Sequence, residues 1–352
     1  MINSMQLQRI WAMFNARNKE FFRDRAAFGW NFAFPFLIIV GFGIIFGGET
    51  LSTFKVGIFP QNGVSVVFSE TTIPQHFKDN SAVSFVAIST LEEGLDKIHY
   101  HKIDLLIDGR SSENRYWVND SSPKSHITEQ MYKAALQPDD TVALDRNIVN
   151  GEQVRYIDWL FPGIMAMNMM FSALWGVGYV VVRYRKNGAL KRLKATPLTA
   201  FEYLSAQMIS RIFLLMFTFT IVWIGADLIF DLKIQGSILL FFLTFFLGGL
   251  SLCSIGLFLA ARGTSEEFTS GALNFISWPM MFLSEVWFSL EGAPAWVQSI
   301  SWIFPLTHML KAARKVMNEG VGFTQIQLEC SLMILTTIIF LTLAATLFSW
   351  NE

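Results

Sequence analysis

RYRKNGALKRLKATPLTAFEYLSAQMISR, residues 183–211, separates an apolar run ending VGYVVV from another beginning IFLLMFTFT. Seven basic residues, Arg183, Arg185, Lys186, Lys191, Arg192, Lys194 and Arg211, stand against one acid, Glu202. Positive residues in short loops beside apolar spans stay on the cytoplasmic side, so this stretch orients the whole chain. Asn187-Gly188 reads as a turn and Pro197 as a stop, which leaves ALKRLKAT as a short piece of good helix formers. Leu190 and Leu193 fall on one side of it, among Lys191, Arg192 and Lys194. Two readings are open from these residues alone: a helix that docks into a partner's groove, or a positive signal resting on anionic lipid.

Only 16% of residues are charged and 52% are hydrophobic, where a soluble domain carries about 25% charged. The composition is that of a multi-pass membrane protein. Cys253 and Cys330 both lie in or beside apolar runs, which excludes a disulfide framework and a thiolate metal site. The histidines, His76, His99, His101, His126 and His308, form no HxxxH or HExxH pair. No phosphate-cradling GxxxxGK[ST] occurs, so nucleotide hydrolysis, if it drives this protein, takes place in another chain. The first apolar run starts only near Phe28 with no A-x-A site after it, and the first span is therefore expected to be retained.

Residues 1–27 place Leu7, Ile10, Trp11, Phe14, Phe21 and Phe22 at helical spacing among basic residues, as an amphipathic helix in the cytoplasmic interface does. A first span follows within 28–47, where Pro35 is a candidate kink and Gly43 with Gly47 a small-residue contact. From 48 to 155 the composition becomes that of a soluble domain. KVGIFP, VSFVAI, IDLLID and RYWV read as strands, while Thr90 with Glu93 and Ser122-Pro123 read as helix starts, giving a mixed α/β domain. With the basic loop inside and one span between, this domain is expected outside the membrane. Asp104, Asp108, Asp139 and Asp140 read there as solvated turn acids.

Five more spans are expected in 156–352: Trp159–Val182, Ile212–Phe230, Ile238–Ala261, a run from Phe268, and Ile326–Phe348. Asn168, Ser172 and Gly176 recur every four residues on the second span, and Asn274, Ser277, Met281 and Ser284 make a similar stripe on the fifth. Each stripe suits either a lined pathway or close helix packing. Residues 285–320 hold short apolar pieces broken by Pro294 and Pro305, read as re-entrant or interfacial helices, and there Lys311, Arg314 and Lys315 break the positive-inside count. Six spans put both termini in the cytoplasm.

In this order of parts the chain resembles the membrane subunit of ABC transporters of the ABC-2 type, in the subgroup with a large extracytoplasmic domain between the first two spans. NGALKRLKATPLTAFEYL resembles that family's loop after the second span, FLSEVWFSLEGAPAWVQSISWIFPLTHMLKAAR its segment before the last span, and KVGIFPQNG the start of its external domain. Lys191 stands where family members often carry Glu, and Glu285 where a small residue is usual. The resemblance implies a fold of six transmembrane helices with an inserted α/β periplasmic domain, in the bacterial inner membrane. It implies a homodimer, or a pair with a close paralogue, that exports an apolar or amphipathic substrate. ATP-Mg belongs to a separate ATPase subunit, and this chain carries no cofactor of its own. Gly188, Leu190, Arg192, Leu193, Ala195, Thr196 and Pro197 are then the coupling helix that receives the ATPase's motion, and the N-terminal helix, with Trp11 and Phe14, clasps that same ATPase subunit. Asn168, Ser172, Gly176, Asn274, Ser277 and Met281 line the route, and Glu285, Pro305, Leu306 and Thr307 form an outer gate. A periplasmic adaptor with an outer-membrane channel and membrane lipid are implied partners, and nucleic acid is not. The competing reading is a membrane-anchored sensor or envelope assembly scaffold that uses the external domain.

Overall fold

The basic loop is shorter than its sequence suggests. In the computed structural model Thr199 starts a helix, Ala200–Phe230, through a reciprocal capping box: its hydroxyl accepts from Glu202 N–H at 3.2 Å, and the Glu202 carboxylate accepts from Thr199 N–H at 2.8 Å. Residues 200–211, expected in the loop, are therefore helical. At 31 residues this helix is about 46 Å long, against a hydrocarbon core of about 30 Å.

The structure describes residues 4–46, 54–60, 73–99, 102–109, 115–120, 122–136, 155–263, 265–290 and 293–350. The chain divides into one unit of 1–47 with 153–352 and another of 48–152. Gly47, Gln61–Gly63, Asp139 and Asp140 lie outside the described residues.

The first unit opens with α1 (Ser4–Arg23) and α2 (Arg25–Phe46), whose axes bend by 64° at their junction. The second unit holds β1 (Phe54–Phe59), α3 (Gln75–Lys78), β2 (Val83–Ala87), α4 (Leu91–His99), β3 (Leu105–Asp108), β4 (Tyr116–Val118) and α5 (Pro123–Leu136). Its sheet has the order β2-β1-β3-β4, parallel except for β4 against β3. Alternation along the strands feeds two cores: Val56, Ile58, Leu105 and Ile107 meet Phe77 and Tyr132 on one face, and Phe59 and Leu106 meet Ile88, Ile98 and Ile103 on the other. Both helix starts hold. Thr90 Oγ1 accepts from Glu93 N–H at 3.2 Å, the Glu93 carboxylate accepts from Ser89 N–H at 3.2 Å, and Ser122 Oγ accepts from Ser125 N–H. Asp104 is no solvated turn acid: it is buried and accepts from Lys55 N–H at 2.8 Å, pinning β1.

Glu129 accepts from Lys133 Nζ at 2.7 Å and from Tyr116 Oη at 3.0 Å, and these two contacts hold its carboxyl below the ordinary range. The group's contribution is thus fully present above its unfolded value near pH 4.3 and is lost as pH falls through the lower folded value. Glu129→Gln is expected to remove about 0.5–1 kcal/mol at pH 7 and nothing at pH 2–3, read by denaturant unfolding of this unit at both pH values.

The remaining chain returns to the helical unit as α6 (Tyr156–Ala173), a π-helical turn (Leu174–Tyr179), α7 (Val180–Lys186), α8 (Ala189–Lys194), α9 (Ala200–Phe230), α10 (Ile238–Ala260), α11 (Glu266–Leu283), α12 (Ala295–Ser301), α13 (Pro305–Glu319) and α14 (Phe323–Leu347). α10 is central and packs against α6, the π turn, α9, α13 and α14. Its glycine face permits this: a Cβ on Gly178 would lie 3.0 Å from the Gly256 carbonyl oxygen, and Gly248 sits under Met309. Among the described residues, four helical segments are long and apolar enough to cross a membrane, Tyr156–Lys186, Ala200–Phe230, Ile238–Ala260 and Phe323–Leu347, or five if the bent α1–α2 pair is one span. The expected fifth span is the shorter α11, 18 residues that begin with Glu266-Glu267 and contain Pro279.

Candidate functional site

Three places in the helical unit gather the residues singled out by sequence. The first is the segment between α7 and α9. Gly188 takes the left-handed conformation, φ 71°, that starts α8, and the Thr196 hydroxyl closes its end on the Leu193 carbonyl at 2.6 Å. Arg192, Ala195, Thr196 and Pro197 are exposed and Leu193 is half-buried. Leu190, expected on a docking face, is instead fully buried against its own chain. The exposed surface of this segment therefore consists of the polar side of α8 and the Ala195–Pro197 turn, with Leu190 buried beneath it.

α1 clasps this segment. The Arg9 guanidinium donates to the Pro197 carbonyl and lies 3.4 Å from the buried Glu202 carboxylate, so one side chain ties α1 to the loop and to the start of α9. Further along, Arg17 donates to Tyr184 Oη at 2.8 Å, and buried Ser210 donates to Asn18 at 2.7 Å. Trp11 is 61% exposed and stacks on Phe14 at 5.0 Å, while Phe14 meets Phe213 of α9 edge-on. Trp11 thus faces outward and Phe14 faces the unit.

The second place is a cavity of about 590 Å³ bounded by α1, α2, α6 with its π turn, and α9. Asn168, Ser172 and Gly176 all line it, as their four-residue spacing requires. The Ser172 hydroxyl donates to Asn31 Oδ1 at 2.7 Å. Gly176 is glycine because the Arg211 guanidinium lies where a Cβ would be. The second stripe divides. Ser277 is buried with its hydroxyl on the Leu273 carbonyl at 2.7 Å, Met281 is buried, and Asn274 is exposed beside Phe275 and Trp278. None of these three lines the cavity.

The third place is the segment after α11. Glu285 has φ 61° and turns the chain so that its own carbonyl meets Arg314. Thr307 Oγ1 donates to Ser284 Oγ at 2.9 Å, Pro305 occupies the first turn of α13, and Leu306 is buried. The three cations that broke the charge rule are each matched: Arg314 by Glu285 at 3.7 Å, Lys315 by Glu329 at 2.7 Å, and Lys311 by the Trp302 ring at 4.7 Å.

Sequence reading missed Arg185 and Arg211, both counted as loop cations and both buried. The available signal was local. Each stands within four residues of apolar neighbours on the same helix face, as Val181 and Val182 stand to Arg185 and as Met208 and Leu215 stand to Arg211.

This architecture is that of a multi-pass membrane protein with an inserted α/β unit, and the chain belongs to a known family of such proteins. Residues 26–346 match the family described as ABC-2 family transporter protein. The chain is similar to the probable multidrug ABC transporter permease YbhR of Escherichia coli K12, 24% identical over 225 residues that make up 63% of this chain and 61% of that relative. It is similar to the inner membrane transport permease YhhJ of the same strain, 29% identical over 171 residues, 46% of this chain and 44% of that relative. ABC transporter G family member 20 of Dictyostelium discoideum is 24% identical over 248 residues, 70% of this chain and 34% of that protein. The aligned segments thus span less than two thirds of each of these relatives.

Proposed function

We propose that this chain is the permease subunit of an ATP-driven exporter in a bacterial inner membrane, acting as a pair of copies powered by a separate ATPase. The observation that carries this reading is the exposed turn of α8 and Ala195–Pro197, buried beneath through Leu190 and clasped through Arg9. A surface segment fixed on both α1 and α9 transmits a push to two long helices at once. In this reading the chain crosses the membrane six times, with α2 and α11 completing the set. The α/β unit then lies outside, where an adaptor and an outer-membrane channel can meet it. The relatives named as multidrug permeases favour an apolar or amphipathic cargo.

The test uses the chain co-purified with its ATPase. Leu193→Asp and the fully surface change Arg192→Glu are each expected to lower substrate-stimulated ATP turnover about tenfold or more, equivalent to about 1.4 kcal/mol of coupling, with insertion unchanged. Turnover at the parent level in both variants removes this segment from the mechanism.

A further inference from the structure

The cavity between α1, α2, α6 and α9 contains charge that coupling to an ATPase does not use. Arg211 is 9% exposed, twelve residues into a helix apolar enough to cross a membrane. A guanidinium buried without a counter-charge in such a helix is costly, and ionisable residues there mark ligand or ion sites. Among the described residues no carboxylate lies within ion-pair distance of it. Among the described residues its guanidinium donates to the Ser172 carbonyl and its Nε has no partner. The energetic demand is for an anion that the protein itself does not supply.

Two more guanidinium groups converge on the same space. Arg17 donates to the Gly176 carbonyl at 3.3 Å and pairs with Glu20 at 2.6 Å, and Arg183 stands exposed at the mouth. The lining holds three guanidinium groups, those of Arg17, Arg183 and Arg211, against two carboxylates, Glu20 and Asp24, a balance of +1. The backbone is adapted to the arginines: the π turn presents the Gly176 carbonyl to Arg17, and the missing Cβ of Gly176 leaves room for Arg211. The lining is also aromatic, with Trp30 and Trp175 among its residues, and Trp30 is 67% exposed. A volume of about 590 Å³ is within the range of small-molecule sites.

We infer that this cavity binds an amphiphile with an anionic headgroup, phosphate or carboxylate, seated on Arg211 and Arg17 with its apolar body along Trp30 and Trp175. A lone anion leaves the aromatic wall unused, and a neutral amphiphile leaves Arg211 unpaired. The inference does not depend on the chain being an exporter, because it concerns binding by this chain alone.

The test is native mass spectrometry of the full chain in neutral detergent, titrated with phosphatidylglycerol, phosphatidylcholine or inorganic phosphate. The parent chain is expected to bind phosphatidylglycerol at least about tenfold more tightly than phosphatidylcholine. Arg211→Gln is expected to bring that ratio below about threefold, with Arg211→Lys between the two. Arg183→Gln, at the exposed mouth where folding is not at stake, is expected to lower the ratio two- to fourfold. Equal binding of the two lipids by the parent chain overturns the inference, as does a ratio unchanged in both glutamine variants. Inorganic phosphate bound as tightly as phosphatidylglycerol overturns the amphiphile and leaves a site for a soluble anion.

Discussion

Arg185→Ala is expected to destabilise the helical unit by about 3–5 kcal/mol, because several buried carbonyls lose a charged donor together at about 1–3 kcal/mol each. Arg185 is 4% exposed, and its guanidinium donates to the carbonyls of Ala260, Ala261 and Ser349 at 2.9–3.2 Å and to that of Gly263. The carbonyls at the end of α10 have no partner within their own helix and carry the negative end of its dipole, so a cation there satisfies both needs. The same side chain fixes the residues after α14. Phe348 lies 5.8 Å from the guanidinium, and Phe348 and Trp350 close over the buried Tyr203 ring at 5.8 and 5.7 Å. In the alanine variant the carbonyls are left in a poorly hydrated site, at about 1–3 kcal/mol for each that finds no water. Lysine offers one ammonium in place of a planar fork and is expected to recover less than half of the loss. In detergent the melting midpoint should fall by about 6–20 °C for alanine, given about 2–4 °C per kcal/mol for a unit of this size. A midpoint within about 2 °C of the parent would show that this cluster does not hold α10 and the last residues together.

That role was illegible in the sequence because charge was read by address, without its partners. Arg185 and Arg211 stood in a basic stretch and were counted with Lys191 and Lys194, yet the partners that bury them lie far along the chain, at Ser349 for one and Ser172 for the other. Glu202 misled in the same way, since a lone acid among cations resembles loop, whereas here it caps a helix and meets Arg9. Features set by short-range geometry were legible. The four strands and the Ser122 cap follow from alternation and capping chemistry. The Asn168, Ser172 and Gly176 stripe was placed on one face correctly, because its elements are continuous from 156 to 186. Asn274, Ser277 and Met281 also share a side of α11, but they do not line that cavity, because periodicity says which residues share a side and leaves open which neighbour covers it.

Arg314→Ala is expected to release the segment 284–290 from α6, with at least tenfold faster amide exchange there and little change in α10 or α14. Arg314 is 9% exposed and stacks on the Trp159 ring at 3.8 Å. Its guanidinium donates to the carbonyl of Glu285 at 2.8 Å and of Trp159 at 3.3 Å, so it binds the turn and the start of α6 through main-chain atoms. A desolvated cation–π contact adds about 2 kcal/mol, and each charged hydrogen bond about 1.5–3 kcal/mol before competition with water. The Glu285 carboxylate stands 3.7 Å away and is partly exposed, so Glu285→Ala is expected to cost only about 0–1 kcal/mol. The two variants separate a charge pair from a backbone clamp: if Glu285→Ala speeds exchange as much as Arg314→Ala, the ion pair dominates and the clamp is wrong. A third change approaches the clamp from its other side. A Cβ at Gly163 would lie 2.6 Å from the Val286 carbonyl oxygen, so Gly163→Ala pushes the same turn off α6 by contact with backbone, which cannot rotate away. Because both substitutions displace one turn, the double variant Gly163→Ala with Arg314→Ala is expected to show less than the sum of its parts. Full additivity would place the two residues on separate restraints, and segment 284–290 would then be held by packing on α13 instead.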